Sequence, residues 1–213
     1  GRIFADVILF CRSQGQIIRK PECDIMKIGI IGGTGDIGEG LALRISDKHE
    51  IILGSRDPAK AEESAEKNMA ILKERGITGN CRGTTNDEAV KQADVVVISL
   101  PFQHVASTLA GINPEYFENK IVISPVNPMV RKDGCFLYNP PEEGSAALAI
   151  KKMLPDSCRL VTVFNNIAAR KWAMLDAVLD YTVAVTSDDP EAKKEVMALT
   201  SQISKLEPVD AGN

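Results

Sequence analysis

Apolar and polar positions follow two alternating patterns along most of the chain. Short apolar runs predict buried strands over residues 28–31, 49–53, 94–100, 120–124, 159–164 and 181–185, and residues 207–210 predict one more. The segments between the strands predict helices, as in the first of them, where the apolar residues Ile37, Leu41 and Ile45 recur every four positions. The predicted helices cover residues 37–45, 57–75, 105–111, 145–154, 169–179 and 189–203, and a further short helix starts at Asn86. Strands alternating with helices form βαβ units, so the pattern predicts an α/β fold with a doubly wound parallel sheet.

The first 25 residues differ from the rest. They hold one short apolar run, residues 7–10, and lack the basic start, long apolar core and small-residue cleavage site of a signal peptide. We expect residues 1–25 to be a poorly ordered N-terminal extension and residues 26–213 to form the domain.

A glycine cluster follows the first predicted strand and opens the first helix, with the spacing Gly33-x-Gly35-x-x-Gly38. In this setting the first glycine allows a tight turn, the second lets a pyrophosphate approach the backbone, and the third lets helix and strand pack closely. Free N–H groups at the helix start then face the phosphate charge. The cluster predicts a Rossmann-type dinucleotide site; the alternative is a glycine-rich turn without a ligand.

The end of the second predicted strand favours NADP over NAD. An acidic residue usually stands there in NAD-binding domains, on the ribose 2′-hydroxyl. Here the strand ends in Ser55 and Arg56, and Lys60 follows one helical turn later. A hydroxyl, a guanidinium and an ammonium would bind a 2′-phosphate. The alternative is a solvated basic start to a surface helix.

Three further loops follow predicted strands, at residues 100–104, 124–128 and 164–168. Ligands of open α/β sheets bind at this edge, and the uncharged polar groups of these loops suit a flat, neutral ring system. His104 is equally well explained as a solvated residue at a helix start, and Trp172 and the methionines are predicted to lie in the core.

The composition narrows the classes of function. The 213 residues carry a net charge of −4, which argues against nucleic acid or an anionic membrane as the main partner. No run of about 18 apolar residues predicts a membrane span. Five cysteines without a CxxC pair, and only two histidines, predict reduced thiols and no metal site. No nucleophile elbow, P-loop or paired-carboxylate pattern occurs, which fits hydride transfer, where the cofactors carry the chemistry.

Residues 26–60 resemble the F420-dependent NADP reductases of archaea and some actinobacteria. The resemblance lies in residues 27–44, which contain the glycine cluster, and in the strand that ends in Ser55 and Arg56. Later segments agree with the same family, at residues 98–101, 121–125, 144–147, 164–169 and 210–212. The domain is also similar to the reductase domain of metalloreductases that carry a membrane haem part.

The resemblance implies reversible hydride transfer between NADPH and coenzyme F420, an 8-hydroxy-5-deazaflavin, with no catalytic side chain. It also implies a cytoplasmic protein that forms a homodimer or a higher homo-oligomer. It also implies site residues. Gly33, Thr34, Gly35, Asp36, Ile37 and Gly38 would form the pyrophosphate turn; Ser55, Arg56 and Lys60 would hold the 2′-phosphate; Leu100, His104, Asn127 and Ala169 would line the nicotinamide side; Asn165 and Ile167 would contact the deazaflavin or the nicotinamide amide.

Family members continue past the position of Asn213 into helices that complete the deazaflavin pocket and the dimer. A smaller C-terminal α/β part that looks truncated is therefore expected to follow the Rossmann-type sheet.

Two other functions stay open on the residues alone. One is an NADPH-dependent reductase of ferric iron, flavin or another small substrate. The other is a non-catalytic module that senses NADP.

Overall fold

The computed structural model describes residues 25–203 and 205–213, with ten strands and seven α-helices in that part of the chain. The strands are β1 (Lys27–Ile31), β2 (Glu50–Ser55), β3 (Cys81–Thr85), β4 (Val95–Ile98), β5 (Ile121–Ser124), β6 (Met129–Lys132), β7 (Cys135–Tyr138), β8 (Arg159–Thr162), β9 (Tyr181–Val185) and β10 (Leu206–Asp210). The helices are α1 (Asp36–Ile45), α2 (Pro58–Glu74), α3 (Asn86–Gln92), α4 (Phe102–Leu109), α5 (Ala146–Lys151), α6 (Ala169–Ala173) and α7 (Pro190–Thr200).

Six strands form one parallel sheet in the order β3-β2-β1-β4-β5-β8. This is the order of the dinucleotide-binding doubly wound fold, so the predicted fold class is confirmed. The order reverses between β1 and β4, which places a crevice at the carboxyl ends of these two strands. β9 and β10 form a separate parallel pair, which is the smaller C-terminal α/β part.

The central strands are buried on both faces, as their apolar sequences predict. Every residue of β4 and β5 is buried, and Ile28, Ile30 and Ile31 of β1 are completely covered. Trp172 is also fully buried, which confirms its predicted place in the core. The prediction for the methionines is confirmed only in part: Met26 and Met197 are partly buried and pack against the core, whereas Met129, Met153 and Met174 are exposed, because they lie on the hairpin of β6 and β7, beyond α5 and beyond α6.

The predicted helix starts are confirmed by side-chain caps. Asp57 accepts a hydrogen bond from the Ala59 N–H, Ser145 from the Leu148 N–H, and Asp189 from two N–H groups of α7. The short predicted helix at Asn86 is capped by Thr85. These caps satisfy donors that the first helical turn leaves free.

Four details differ from the sequence prediction. β3 and the hairpin of β6 and β7 were not predicted: β3 consists mostly of polar residues, and the two hairpin strands are mostly exposed, although β7 is apolar. β2 continues through Gly54 to Ser55, although Gly54 was expected to break it. α6 ends at Ala173 instead of continuing to Leu179, because Arg44 binds carbonyl groups that a longer helix would use itself.

The predicted extension, residues 1–25, lies outside the described residues apart from the exposed Ile25. None of the described helices is long and apolar enough to cross a membrane.

His49 joins the start of β1 to the segment that follows α7. Its Nδ1 accepts a hydrogen bond from the Met26 N–H at 3.2 Å, so its Nε2 carries the proton and donates to the Gln202 Oε1 at 2.9 Å. Burial lowers the pKa of His49, because the charged ring loses its hydration there. Protonation would also break the bond from Met26.

We therefore expect the free energy of unfolding to fall as the pH is lowered. The unfolded chain binds the proton with an ordinary histidine pKa of about 6.5, whereas the folded chain resists it, so the loss begins near that pH. Urea unfolding of the wild type and of His49→Gln, from about pH 8 down to about pH 5.5, measures the effect. The variant should lose less stability than the wild type; equal losses would show that His49 does not contribute.

Candidate functional site

The loops at the carboxyl ends of β1, β2, β4, β5 and β8 contain most of the residues predicted to bind a ligand. Because the strands are parallel, these loops meet at one edge of the sheet, around the crevice where the strand order reverses. The site divides into a glycine turn, a basic corner and an uncharged side.

The glycine turn joins β1 to α1, and the space around each of its glycines differs. Gly32 has a positive φ of 70°, and the Gly33 N–H donates to the Gly54 carbonyl at 2.8 Å. A Cβ on Gly38 would stand 2.5 Å from the Gly33 carbonyl oxygen, so the helix packs on the turn only without a side chain there. A Cβ on Gly35 would have 3.6 Å to its nearest neighbour. Gly35 is thus not needed by the protein's own packing.

The start of α1 is open to an anion. Thr34, Gly35 and Asp36 are exposed, Ile37 is half-buried, and no side chain of the described residues caps the helix. The N–H groups of the first helical turn have no partner within the helix, and the helix dipole adds positive potential there. The turn therefore provides both the space and the donors that a pyrophosphate requires.

Asn86, the first residue of α3, supports the glycine turn and was missed from the sequence. Its Oδ1 accepts a hydrogen bond from the Gly32 N–H at 3.1 Å, and its side chain lies against Gly54. Asn86 is buried, whereas a polar residue at a helix start is usually exposed. The sequence contains no signal for this, because the contact joins residues 54 positions apart.

We predict that Asn86→Ala destabilises the fold and weakens NADPH and NADH binding to the same extent. The variant leaves the Gly32 N–H without its buried acceptor, at a cost of about 1–3 kcal/mol. Urea unfolding and nucleotide fluorescence titrations measure the two effects. Asn80→Ala is the control, because Asn80 is exposed and its side chain makes no hydrogen bond within the described residues. A loss confined to one nucleotide would assign Asn86 a role other than support of the turn.

The basic corner lies where β2 joins α2. Ser55 is half-buried and accepts a hydrogen bond from the Asp57 N–H at 3.2 Å. Arg56 and Lys60 are exposed, and within the described residues neither has a carboxylate in ion-pair range. Asp57, the acidic residue nearest to this corner in sequence, caps α2 through its Oδ1. The two cations are therefore available to a phosphate.

On the β4 side, Leu100 packs against the glycine turn, since a Cβ on Gly32 would stand 2.4 Å from its Cδ2. His104, in the first turn of α4, is exposed, and its Nε2 lies 3.3 Å from the amide nitrogen of Gln103. The structure thus joins Leu100 to the glycine turn, whereas His104 has no hydrogen bond to another predicted site residue in the described chain.

On the β5 and β8 side, Asn127 and Asn165 are joined directly. The Asn127 side-chain amide donates to the Asn165 carbonyl at 2.8 Å, and the Asn165 amide donates to the Val126 carbonyl at 3.1 Å. Phe164, just before Asn165, has a positive φ of 72°, which is rare for an aromatic residue. Such outliers cluster at functional sites, where surrounding contacts hold them.

Ile167 and Ala169 complete this side of the site. Ile167 is only 5% exposed and packs in the core, and its N–H donates to the Phe164 carbonyl at 3.1 Å, so little of this residue is open to a ligand. Ala169 is exposed as the first residue of α6.

A groove of about 500 Å³ begins at Asn165 and continues over the C-terminal pair of strands. Threonines, asparagines and small apolar side chains line it, with no charged residue: Thr162, Asn165, Asn166, Thr182, Ala184, Thr186 and Val209. Sequence reasoning missed this groove, because β9 and β10 contribute to it through pairing that local patterns do not show. Its uncharged and mostly apolar surface suits the face of a flat ring.

Comparisons with known proteins show the family of the chain. Residues 27–128 match the family described as NADP oxidoreductase, coenzyme F420-dependent. The chain is 41% identical over 191 residues to the F420-dependent NADP reductase of Methanocaldococcus jannaschii, covering 88% of this chain and 84% of the relative. It is 35% identical over 195 residues to the enzyme of the same name from Methanothermobacter thermautotrophicus, with 88% and 82% covered.

Solved structures show the same fold. A protein of Arthrobacter sp. FB24, provisionally assigned as an F420-dependent NADP reductase, aligns with a TM-score of 0.71 and 25% identity over 88% of this chain and 85% of that one. A reductive aminase from Aspergillus terreus aligns with a TM-score of 0.60 and 16% identity, over 89% of this chain and 55% of that one, and shows the fold alone.

Proposed function

The chain belongs to the family of F420-dependent NADP reductases, and from this premise we propose that it transfers a hydride reversibly between NADPH and coenzyme F420. The observation that carries the proposal is the identity of 41% to a named reductase over most of both chains. The site described above fits both coenzymes.

NADP fits the glycine turn and the basic corner. The open space at Gly35 and the uncapped start of α1 suit the pyrophosphate, with Thr34, Asp36 and Ile37 supplying main-chain N–H groups. Arg56 and Lys60 would neutralise the 2′-phosphate, and the Ser55 hydroxyl would donate to it. The pyrophosphate and the 2′-phosphate would fix the nucleotide at both ends of its adenosine part.

F420 fits the uncharged side. The groove beside Asn165 offers amide and hydroxyl groups to the polar edge of a deazaflavin, and its position at the carboxyl edge adjoins the nucleotide site. Leu100, His104, Asn127 and Ala169 would line the nicotinamide side. Asn165 and Ile167 would contact the deazaflavin or the nicotinamide amide through main-chain and side-chain atoms.

The protein's part in the reaction is binding and orientation. When both coenzymes are bound, the nicotinamide and deazaflavin rings supply the hydride donor and acceptor. The paired amides of Asn127 and Asn165 hold two loops at a fixed distance, so the rings would meet in one arrangement. No side-chain acid or base is needed for the hydride, and the remaining proton would come from solvent.

Three narrower points stay predictions. Residues 26–213 would form the domain, with residues 1–25 as an extension outside it; the protein would be a homodimer or higher homo-oligomer; and it would act in the cytoplasm. Light scattering after size exclusion tests the oligomer, and NADPH titration of a chain that begins at Met26 tests the extension.

The proposed function is tested by mixing the protein anaerobically with NADPH and one acceptor at a time: F420, FMN or ferric citrate. Bleaching of the visible absorbance of F420, with no NADPH oxidation by the other two, is the expected result. Oxidation by FMN or ferric citrate alone would favour a flavin or ferric reductase. Tight NADPH binding without oxidation by any acceptor would favour a sensing module.

A further inference from the structure

The side chain of Arg44 connects the last turn of α1 to the segment around α6. Its Nε donates to the Trp172 carbonyl at 3.0 Å, and its Nη2 donates to the Met174 carbonyl at 2.8 Å. Two weaker contacts, both at 3.3 Å, reach the carbonyls of Lys171 and Ala177. Arg44 has no carboxylate in ion-pair range within residues 25–203 and 205–213, so its guanidinium donates its hydrogen bonds to main-chain carbonyl groups.

These carbonyls need an external donor. α6 has only five residues, and the last carbonyl groups of a helix have no partner within it. A guanidinium presents several N–H groups in one plane, so a single arginine satisfies acceptors that face different ways. Arg44 thereby fixes where α6 ends and how the chain turns toward β9.

Close packing holds the same two helices together. A Cβ on Gly40 of α1 would stand 2.3 Å from the Cβ of Trp172, so the helices approach to backbone contact. Trp172 is fully buried and meets the Phe164 ring edge to face, with the ring centroids 5.1 Å apart. Phe164 directly precedes Asn165, so α1 is linked through α6 to the loop that carries Asn165.

α1 therefore links two parts of the site, the glycine turn and the uncharged side. Its first turn adjoins the glycine turn, and its last turn holds the helix that follows the loop of residues 164–168. Because a helix of ten residues is stiff, a shift at Arg44 would move the uncharged side relative to the pyrophosphate turn.

We propose that Arg44 is a positioning residue for hydride transfer, which sets the loop of Asn165 against the nucleotide without contacting either coenzyme. The proposal rests on the proposed function, since that function assigns the pyrophosphate to the glycine turn and the deazaflavin ring to the uncharged side. It predicts a specific division of effects: the rate of hydride transfer depends on Arg44, whereas NADPH affinity does not.

The test compares Arg44→Ala and Arg44→Lys with Arg75→Ala. Arg75, at the end of α2, forms a bidentate pair with the exposed Asp176, at 2.8 and 3.1 Å, so the control removes a guanidinium that contacts the same segment through a side chain and not through its main chain. Single-turnover mixing with NADPH and F420 gives the transfer rate, nucleotide fluorescence gives the dissociation constant, and amide hydrogen exchange reports on residues 164–169.

For Arg44→Ala we expect a transfer rate lower by about 10- to 100-fold, with NADPH affinity within about threefold of the wild type. Added guanidinium should restore part of the rate of Arg44→Ala. The rate of Arg44→Lys should lie between those of Arg44→Ala and the wild type, because the lysine ammonium cannot reach every carbonyl. Exchange at residues 164–169 should accelerate while β1 keeps its protection. Arg75→Ala should match the wild type throughout.

A wild-type rate in Arg44→Ala would overturn the proposal, and so would equal losses of rate and affinity or an equal loss of rate in Arg75→Ala. If Arg44→Ala does not fold, Arg44→Lys decides by the same criteria. If the wild type transfers no hydride to F420, the proposed function fails by itself. Hydrogen exchange then tests only whether Arg44 holds the loop: faster exchange confined to residues 164–169 supports that part of the proposal, and unchanged exchange overturns it.

Discussion

A chain carrying Gly35→Ala is expected to fold as the wild type does and to lose about 30- to 100-fold in affinity for NADPH and NADH alike. The methyl group meets no protein atom closer than 3.6 Å, and Gly35 has a φ of −92°, which alanine adopts without strain. It would, however, occupy the space in which the pyrophosphate approaches the backbone. Fluorescence titration with both nucleotides measures the loss of affinity, and thermal unfolding measures whether the stability is unchanged.

Two further glycine variants make the result specific. Gly111→Ala is the matched control, because its Cβ would have 3.5 Å to the nearest atom at the end of α4, away from the glycine turn. Gly38→Ala should lower both stability and affinity, because its Cβ would stand 2.5–2.8 Å from main-chain atoms of Gly33. Wild-type affinity in Gly35→Ala would contradict the placement of the pyrophosphate.

Arg56→Ala should lower kcat/KM for NADPH by roughly 10- to 150-fold and leave NADH within about threefold. A charge-assisted hydrogen bond to a phosphate contributes about 1.5–3 kcal/mol, and each 1.4 kcal/mol is about a factor of ten. Arg56 is exposed and has no ion-pair partner in the described part of the chain, so the protein itself does not need the charge. The loss should lie mainly in KM, because the 2′-phosphate binds ground and transition states alike.

Lys73→Ala is the control for Arg56, since it removes one positive charge from the exposed far end of α2. It should change kcat/KM for neither nucleotide. Added salt should weaken NADPH binding more in the wild type than in Arg56→Ala, because screening acts on the pair that the variant lacks. Equal losses for NADPH and NADH would mean that Arg56 supports the fold and that the choice of NADP depends on Ser55 and Lys60.

Elements defined by their own sequence were predictable. β4 and β5 are apolar apart from Ser124 and are buried on both faces, and α2 begins at a local cap made by Asp57. β3 was not predictable, since its residues are mostly polar and half-buried. It pairs with β2, and α2 packs closely on it at Gly83, where a Cβ would stand 2.1 Å from the backbone of Ala61. Neither contact can be seen in a local pattern.

In the candidate site, too, features that depend on local sequence were predictable, and features that depend on distant contacts were not. The glycine turn and the basic corner could be predicted, because backbone freedom and charge belong to the residues themselves. The bond between Asn127 and Asn165 joins residues 38 positions apart, and the support of Gly32 by Asn86 joins residues 54 apart. The sequence indicated that such loops share an edge, but only the folded sheet shows which side chains meet.

Direct passage of a hydride between the two rings is the central claim, and isotope transfer tests it most directly. NADPH carrying deuterium on one or the other face of its C4 is mixed with the protein and F420, and the reduced deazaflavin is analysed by mass spectrometry. We predict that one of the two isomers delivers a single deuterium to the carbon that replaces the flavin N5, and that unlabelled NADPH in heavy water delivers none. Deuterium from neither isomer, or from the solvent, would contradict direct transfer.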